Sequence, residues 1–161
     1  AKSTPVRSLV YLRRINEVAP AKALSKFNPR KSLRVNALSM LFLALLKPGD
    51  KIYHLGDVFF GNKQDFIQKW NRLNGKKRLI LGNHDDATFF MKNNLVSRIG
   101  VWRLFPEYNL VLTHVPLHDT VLTENRFKGK VGINIHGHIH HNPSPTENHR
   151  NVSASIKRRR D

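Results

Sequence analysis

Four times along this chain a short apolar run stops on an aspartate, an asparagine or a histidine. The stretches are "KIYHLGD" from Lys51, "RLILGNHDD" from Arg78, "LVLTH" from Leu110 and "VGINIHGHIH" from Val131. Runs of four or five Val, Ile, Leu and aromatic residues read as buried strands. In α/β folds the groups that meet a ligand collect beyond the carboxyl ends of the strands. A chain that repeats this pattern is constrained to point four strand ends one way. Doing so gathers Asp57, Asn83, His84, His114, His138 and His140 into one site.

The segments between these runs fit that frame. Lys63–Leu73 carries Phe66, Ile67, Trp70 and Leu73 at helical spacing, which predicts an amphipathic helix. A short helix is expected from Ala87 to Asn93, and a buried one over Val35–Leu46, stopped by Pro48 and Gly49. The strands are expected at 51–55, 78–81, 110–113 and 131–135. With 161 residues, 40% of them hydrophobic and 24% charged, one compact α/β domain is the expectation. Its core spans residues 48–153, preceded by a basic part over 1–47 and followed by a basic tail over 154–161.

The chain has no cysteine, so thiolate catalysis, disulfides and Cys-ligated zinc are excluded. Any metal must be held by His, Asp, Asn or Glu. Imidazole suits Zn, Fe, Mn or Ni, and carboxylate or amide oxygen suits Mn and Mg. In "GHIH" the histidines stand at i and i+2, which in extended backbone puts both rings on one side. His54, His118 and His149 read as structural or surface residues. His136 and His141 flank the site, and Trp70 and Trp102 read as core anchors.

The blocks "HLGDVFFGN", "LILGNHDD", "LTHVPLH" and "IHGHIH" resemble, in order and spacing, the signature blocks of calcineurin-like metallophosphoesterases. The likeness is to the small single-domain bacterial and phage members and covers residues 48–153. It implies a four-layered αββα sandwich with a dinuclear centre of one or two divalent ions, Mn, Fe, Zn or Ni, and a phosphate ester as substrate. It further implies that Asp57 bridges the two metals. Asn83, His114 and His138 would complete the second metal's ligands, and His140 would serve the first. His84 would be the uncoordinated imidazole that protonates the leaving oxygen, with Asp85 orienting His84 or its loop. Water made acidic by the metals would attack phosphorus in line.

The resemblance departs at one point. The family's first block is an Asp-x-His after the first strand, which should lie at "SLVYL" (8–12). Here that position reads "RRINEV", with Arg13, Arg14, Asn16 and Glu17. The first metal is left with Asp57 and His140 alone. The sequence therefore carries two functions: an active phosphoesterase, or a catalytically degenerate relative kept as a nucleic-acid-binding, structural subunit.

Charge bears on the second of these. Lys and Arg number 28 against 11 Asp and Glu, a net charge of +17, concentrated at the two ends of the chain. Such an excess neutralises phosphates and favours a polyanionic partner, RNA in particular, bound through backbone and shape. The bland alternative is a solvated basic surface. The longest apolar run, Met40–Leu46, is too short to span a bilayer, which takes about 20 residues. With no apolar signal-peptide core, an intracellular location, cytoplasmic or organellar, is expected. "NVS" at Asn151 is then a chance glycosylation triplet.

Overall fold

The computed structural model describes residues 9–12, 49–123 and 132–153. It is a mixed α/β structure with two four-stranded sheets built to the same plan. The first contains β1 (Leu9–Leu12), β2 (Lys51–His54), β3 (Lys76–Ile80) and β4 (Arg98–Gly100) in that order. The second contains β5 (Trp102–Phe105), β6 (Leu110–Thr113), β7 (Ile133–His136) and β8 (His149–Asn151). In each, the first strand is antiparallel to the second and the remaining pairs are parallel. One residue, Val101, separates β4 from β5, so the chain steps from the edge of one sheet to the edge of the other.

Alternation along the strands decides which side chains meet. Tyr53 and Ile80 of the first sheet, with Leu55, form one buried cluster with Phe105, Leu110, Leu112 and Ile135 of the second. The Tyr53 and Phe105 rings meet edge-on at 5.5 Å. Leu79 points the opposite way, into a cluster with Val58, Phe66, Trp70, Phe89, Phe90 and Leu95. Val111 likewise turns away from Leu112 and packs on Leu122. Every residue of β6 is buried, which follows from apolar cover on both faces of its sheet.

Three helices supply that cover. In α1 (Lys63–Asn71) the Asn62 side chain accepts hydrogen bonds from the Gln64 and Asp65 amides at 2.8 and 3.1 Å. This cap satisfies amide groups that have no partner inside the helix. Phe66 and Trp70, one turn apart, are its buried residues, and the Trp70 indole donates to the Leu95 carbonyl at 2.6 Å. In α2 (Ala87–Lys92) Asp86 caps the start by accepting from the Phe89 amide at 2.9 Å, and Phe89 and Phe90 are buried. The third helix, α3 (Asp119–Thr123), brings Leu122 to Val111. Among the described residues no helix is long and apolar enough to cross a membrane.

The strands expected at 51–55, 78–81, 110–113 and 131–135 and the helices expected at 63–73 and 87–93 are present, with ends displaced by at most two residues. Strands β4, β5 and β8, α3 and a 3₁₀ turn at Pro106–Tyr108 were not expected. Strands of three or four residues with charged members, such as Arg98–Gly100 and His149–Asn151, carry too little periodicity to be read. Trp70 is the core anchor expected of it, at 2% exposure, whereas Trp102 is 52% exposed and is no anchor. The helix expected over 35–46 and the basic tail lie outside the described residues.

Two buried histidines make the fold acid-sensitive. His54 is 1% exposed, and neither ring nitrogen has a hydrogen-bond partner among the described residues. Burial, then the nearby charge of His114, lowers its pKa from 6.5 to about 3. Burial lowers His136 as well, opposed in part by its hydrogen bond to the Gly137 carbonyl and aided by the neighbouring His149 and His138. A proton that binds the unfolded chain but not the native one costs stability as pH falls. Stability should drop from pH 6.5 downward, by up to about 1.4 kcal/mol per pH unit for His54. Urea denaturation between pH 7 and 5 measures this slope, and His54→Leu should make it shallower.

Candidate metal centre

The site lies where four loops leave the carboxyl ends of β2, β3, β6 and β7. Its tightest feature is the approach of the first two loops. Gly56 has φ 79°, and a Cβ there would stand 2.6 Å from both Cα and N of Gly82 and 2.4 Å from Nδ1 of His114. A Cβ on Gly82 would stand 2.3 Å from Oδ1 of Asp57. Neither position has room for a side chain, so each of the two "G-polar" steps needs its glycine.

Asp85 fastens the pair of loops. Its Oδ2 accepts from the amides of Asp57 and Gly82 at 3.0 and 2.9 Å, and its Oδ1 accepts from Val58 at 2.9 Å. These bonds hold Asp57 at φ 51°, a left-handed conformation that non-glycine residues avoid. His138 and His140 are also left-handed, at 64° and 52°. Non-glycine residues held there cost of order 1 kcal/mol or more each and cluster at functional sites.

The donor atoms converge on one imidazole nitrogen. His114 is buried, and its Nδ1 lies 2.7 Å from the Leu55 carbonyl. A carbonyl only accepts, so Nδ1 carries the proton and Nε2 of the neutral ring is bare. Around Nε2 stand Oδ1 of Asn83 at 3.0 Å, Nδ1 of His138 at 3.1 Å and Oδ2 of Asp57 at 3.5 Å. All four atoms can offer lone pairs, and a proton can bridge only one pair of them. Donors placed ~2.1 Å from a shared cation lie ~3.0–3.5 Å from one another, which matches this crowding. Asp57, His114 and His138 thus form a group able to hold a metal ion, their ligand atoms all within 4.8 Å of one another.

The remaining expected residues are distributed around that group. The His84 amide donates to Oδ1 of Asp57 at 3.0 Å, which leaves Oδ2 for the centre. The His84 side chain is exposed and its ring lies 5.2 Å from that of Phe60. His140 follows His138 in the same loop but does not belong to the ligand group. Its carbonyl accepts from Nδ2 of Asn151 at 2.8 Å, and Asn142 accepts from the same amide group at 3.2 Å. Asn151 therefore pins the histidine loop, a role that the "NVS" triplet gave no sign of. His149 is structural, as expected: its ring nitrogens lie 2.9 Å from the Thr146 hydroxyl and 2.8 Å from the Leu117 carbonyl. His118 and His141 are exposed.

The strand expected at 8–12 is β1, but its direction matters. It runs antiparallel to β2, with Leu9 beside His54 and Leu12 beside Lys51. Its carboxyl end is at the far end of the sheet from Asp57. Arg13, Arg14, Asn16 and Glu17 themselves lie outside the described residues.

No family model matches the chain, and no curated protein matches it. It is similar to the crystal structure of a protein of unknown function, AQ665, from Aquifex aeolicus. The TM-score is 0.50 and the identity 26%, over 75% of this chain and 74% of that one.

Asp85→Asn replaces one acceptor oxygen by a donor amide that faces backbone N–H groups. It should cost about 1–3 kcal/mol of stability and weaken divalent-ion binding, since the two loops lose their fastening. Urea denaturation and calorimetric titration with Mn²⁺ measure the two effects. Unchanged affinity would show that Asp85 does not set the position of Asp57.

Proposed function

We propose that this chain is a metallophosphoesterase of the calcineurin-like type, folded as a four-layered αββα sandwich, that hydrolyses phosphomonoesters or phosphodiesters. The observation that carries the reading is the convergence of Asp57, Asn83, His114 and His138 from four strand ends, with His84 beside them. The layer order is supported by the inter-sheet cluster and by helices on the opposite faces of both sheets. Asp57, Asn83, His114 and His138 would hold one divalent ion, Mn, Fe, Zn or Ni. Bound there, such an ion supplies positive charge to the phosphoryl oxygens and acidity to an attacking water.

The chain's own residues do the rest. Leu55 fixes the His114 tautomer so that Nε2 is available. The His84 amide holds one oxygen of Asp57 and orients the other. The His84 ring, exposed at the mouth, gives a proton to the leaving oxygen as its bond to phosphorus breaks, and the attacking water loses one to solvent. His140, in the histidine loop, serves a second ion if one binds.

Hydrolysis of an aryl phosphate with Mn²⁺ tests this reading. His114→Ala should abolish both metal binding and turnover. His84→Ala should keep the metal and lower kcat by about 10²–10⁴-fold. Absence of turnover in the metal-loaded protein would overturn the reading.

The net charge of +17 favours a second reading, a degenerate phosphoesterase that binds RNA as a structural subunit. Binding through phosphates should weaken with log–log salt slope of about −0.7 per contact on a single strand. Tight, salt-sensitive RNA binding by a protein without turnover would establish it. Affinity that ignores salt would exclude it.

A further inference from the structure

The exposed large apolar residues are not spread evenly. Among the described residues they are Phe60, Met91, Val101, Trp102 and Val115. All but Met91 stand at the end of the sheets that carries the donor loops. Phe60 is three residues beyond Asp57, and Val115 directly follows His114. Trp102 pairs with Thr113, the residue before His114, and Val101 adjoins it. Isolated exposed apolar side chains need no explanation, whereas a set around one polar centre marks a place where an apolar group is received.

We propose that Phe60 is a specificity-determining residue, a shelf for the aromatic base of a nucleoside phosphate whose phosphoryl group lies at the metal centre. The inference rests on the phosphoesterase reading for where the phosphate sits. The Phe60 ring is 36% exposed, and its centroid lies 5.2 Å from that of His84 at an angle of 63°. With His84 at the leaving oxygen, the Phe60 ring lies beside the leaving group. A bare sugar phosphate offers nothing to cover the ring. The basic surplus of the chain favours the same class, since it attracts phosphate-bearing ligands. Stacking on a phenyl face accepts any base, so the preference is for a base over none and does not choose among bases.

Adenosine 5′-monophosphate and ribose 5-phosphate share the phosphate and the leaving 5′ oxygen and differ by the base alone. With the Mn²⁺-loaded protein, the nucleotide should bind about tenfold more tightly. Phe60→Ala should make the two affinities equal, and Phe60→Tyr, which keeps a ring, should restore the difference. A 5′-phosphorylated oligonucleotide run alongside separates a strand end from a free nucleotide as the source of the base. Equal affinities in the unaltered protein, or a preference that survives Phe60→Ala, would overturn the assignment. Base-dependent binding without hydrolysis of either compound would sink the phosphoesterase reading and leave the Phe60 assignment standing. Hydrolysis of both at equal efficiency would do the reverse.

Discussion

The Asp85 carboxylate is the contact on which the rest of the site depends. It is an acceptor for backbone N–H groups of two separate loops, at Asp57, Val58 and Gly82. Bonds to an ionised acceptor are about twice as strong as neutral ones. They compensate for the left-handed turn at Asp57 and for the near-contact of Gly56 with Gly82. Once those loops are joined, the positions of Asn83 and the His84 amide follow, because both belong to the same short turn as Asp85. One acidic side chain therefore fixes the geometry of three other polar residues without itself joining the ligand group.

The other half of the centre comes from the second sheet, and there the support is apolar. His114 extends from a strand with no exposed residue, and its ring is set by the Leu55 carbonyl of the first sheet. His138 is held by a loop that Asn151 fastens from the neighbouring strand. The cluster between the sheets, from Tyr53 to Ile135, fixes how far apart the two halves stand. Packed interiors resist deformation, so donors carried on such strands keep their spacing. Strand ends thus place the residues more firmly than loops alone would.

Much of this was legible in the sequence, for identifiable reasons. Apolar runs that end on polar residues gave β2, β3, β6 and β7, and with them the positions of Asp57, Asn83, His114 and His138. Helical spacing gave α1 through Phe66 and Trp70. What escaped was whatever depends on partners distant in sequence. Asp85 read as an accessory to His84, while its oxygens serve Asp57 and Val58, 28 and 27 residues away. Trp102 read as core because tryptophan usually is, and no local signal told that its strand lies at an edge. The direction of β1 had no signal at all, because an isolated apolar run carries no record of its polarity in the sheet.

Val101 has a mechanical consequence. It alone links Gly100, beside Ile80, to Trp102, beside Thr113, so those two Cα atoms are held within ~7.6 Å. The sheets are joined there like the covers of a book at its spine. Counting outward from that spine, Asn83 and His114 each follow the second strand, while Asp57 and His138 each follow the third. Any breathing about the spine separates the outer pair more than the inner. A cation shared by Asp57 and His138 would therefore grip the covers at the longer lever arm and resist their parting most where the leverage is greatest.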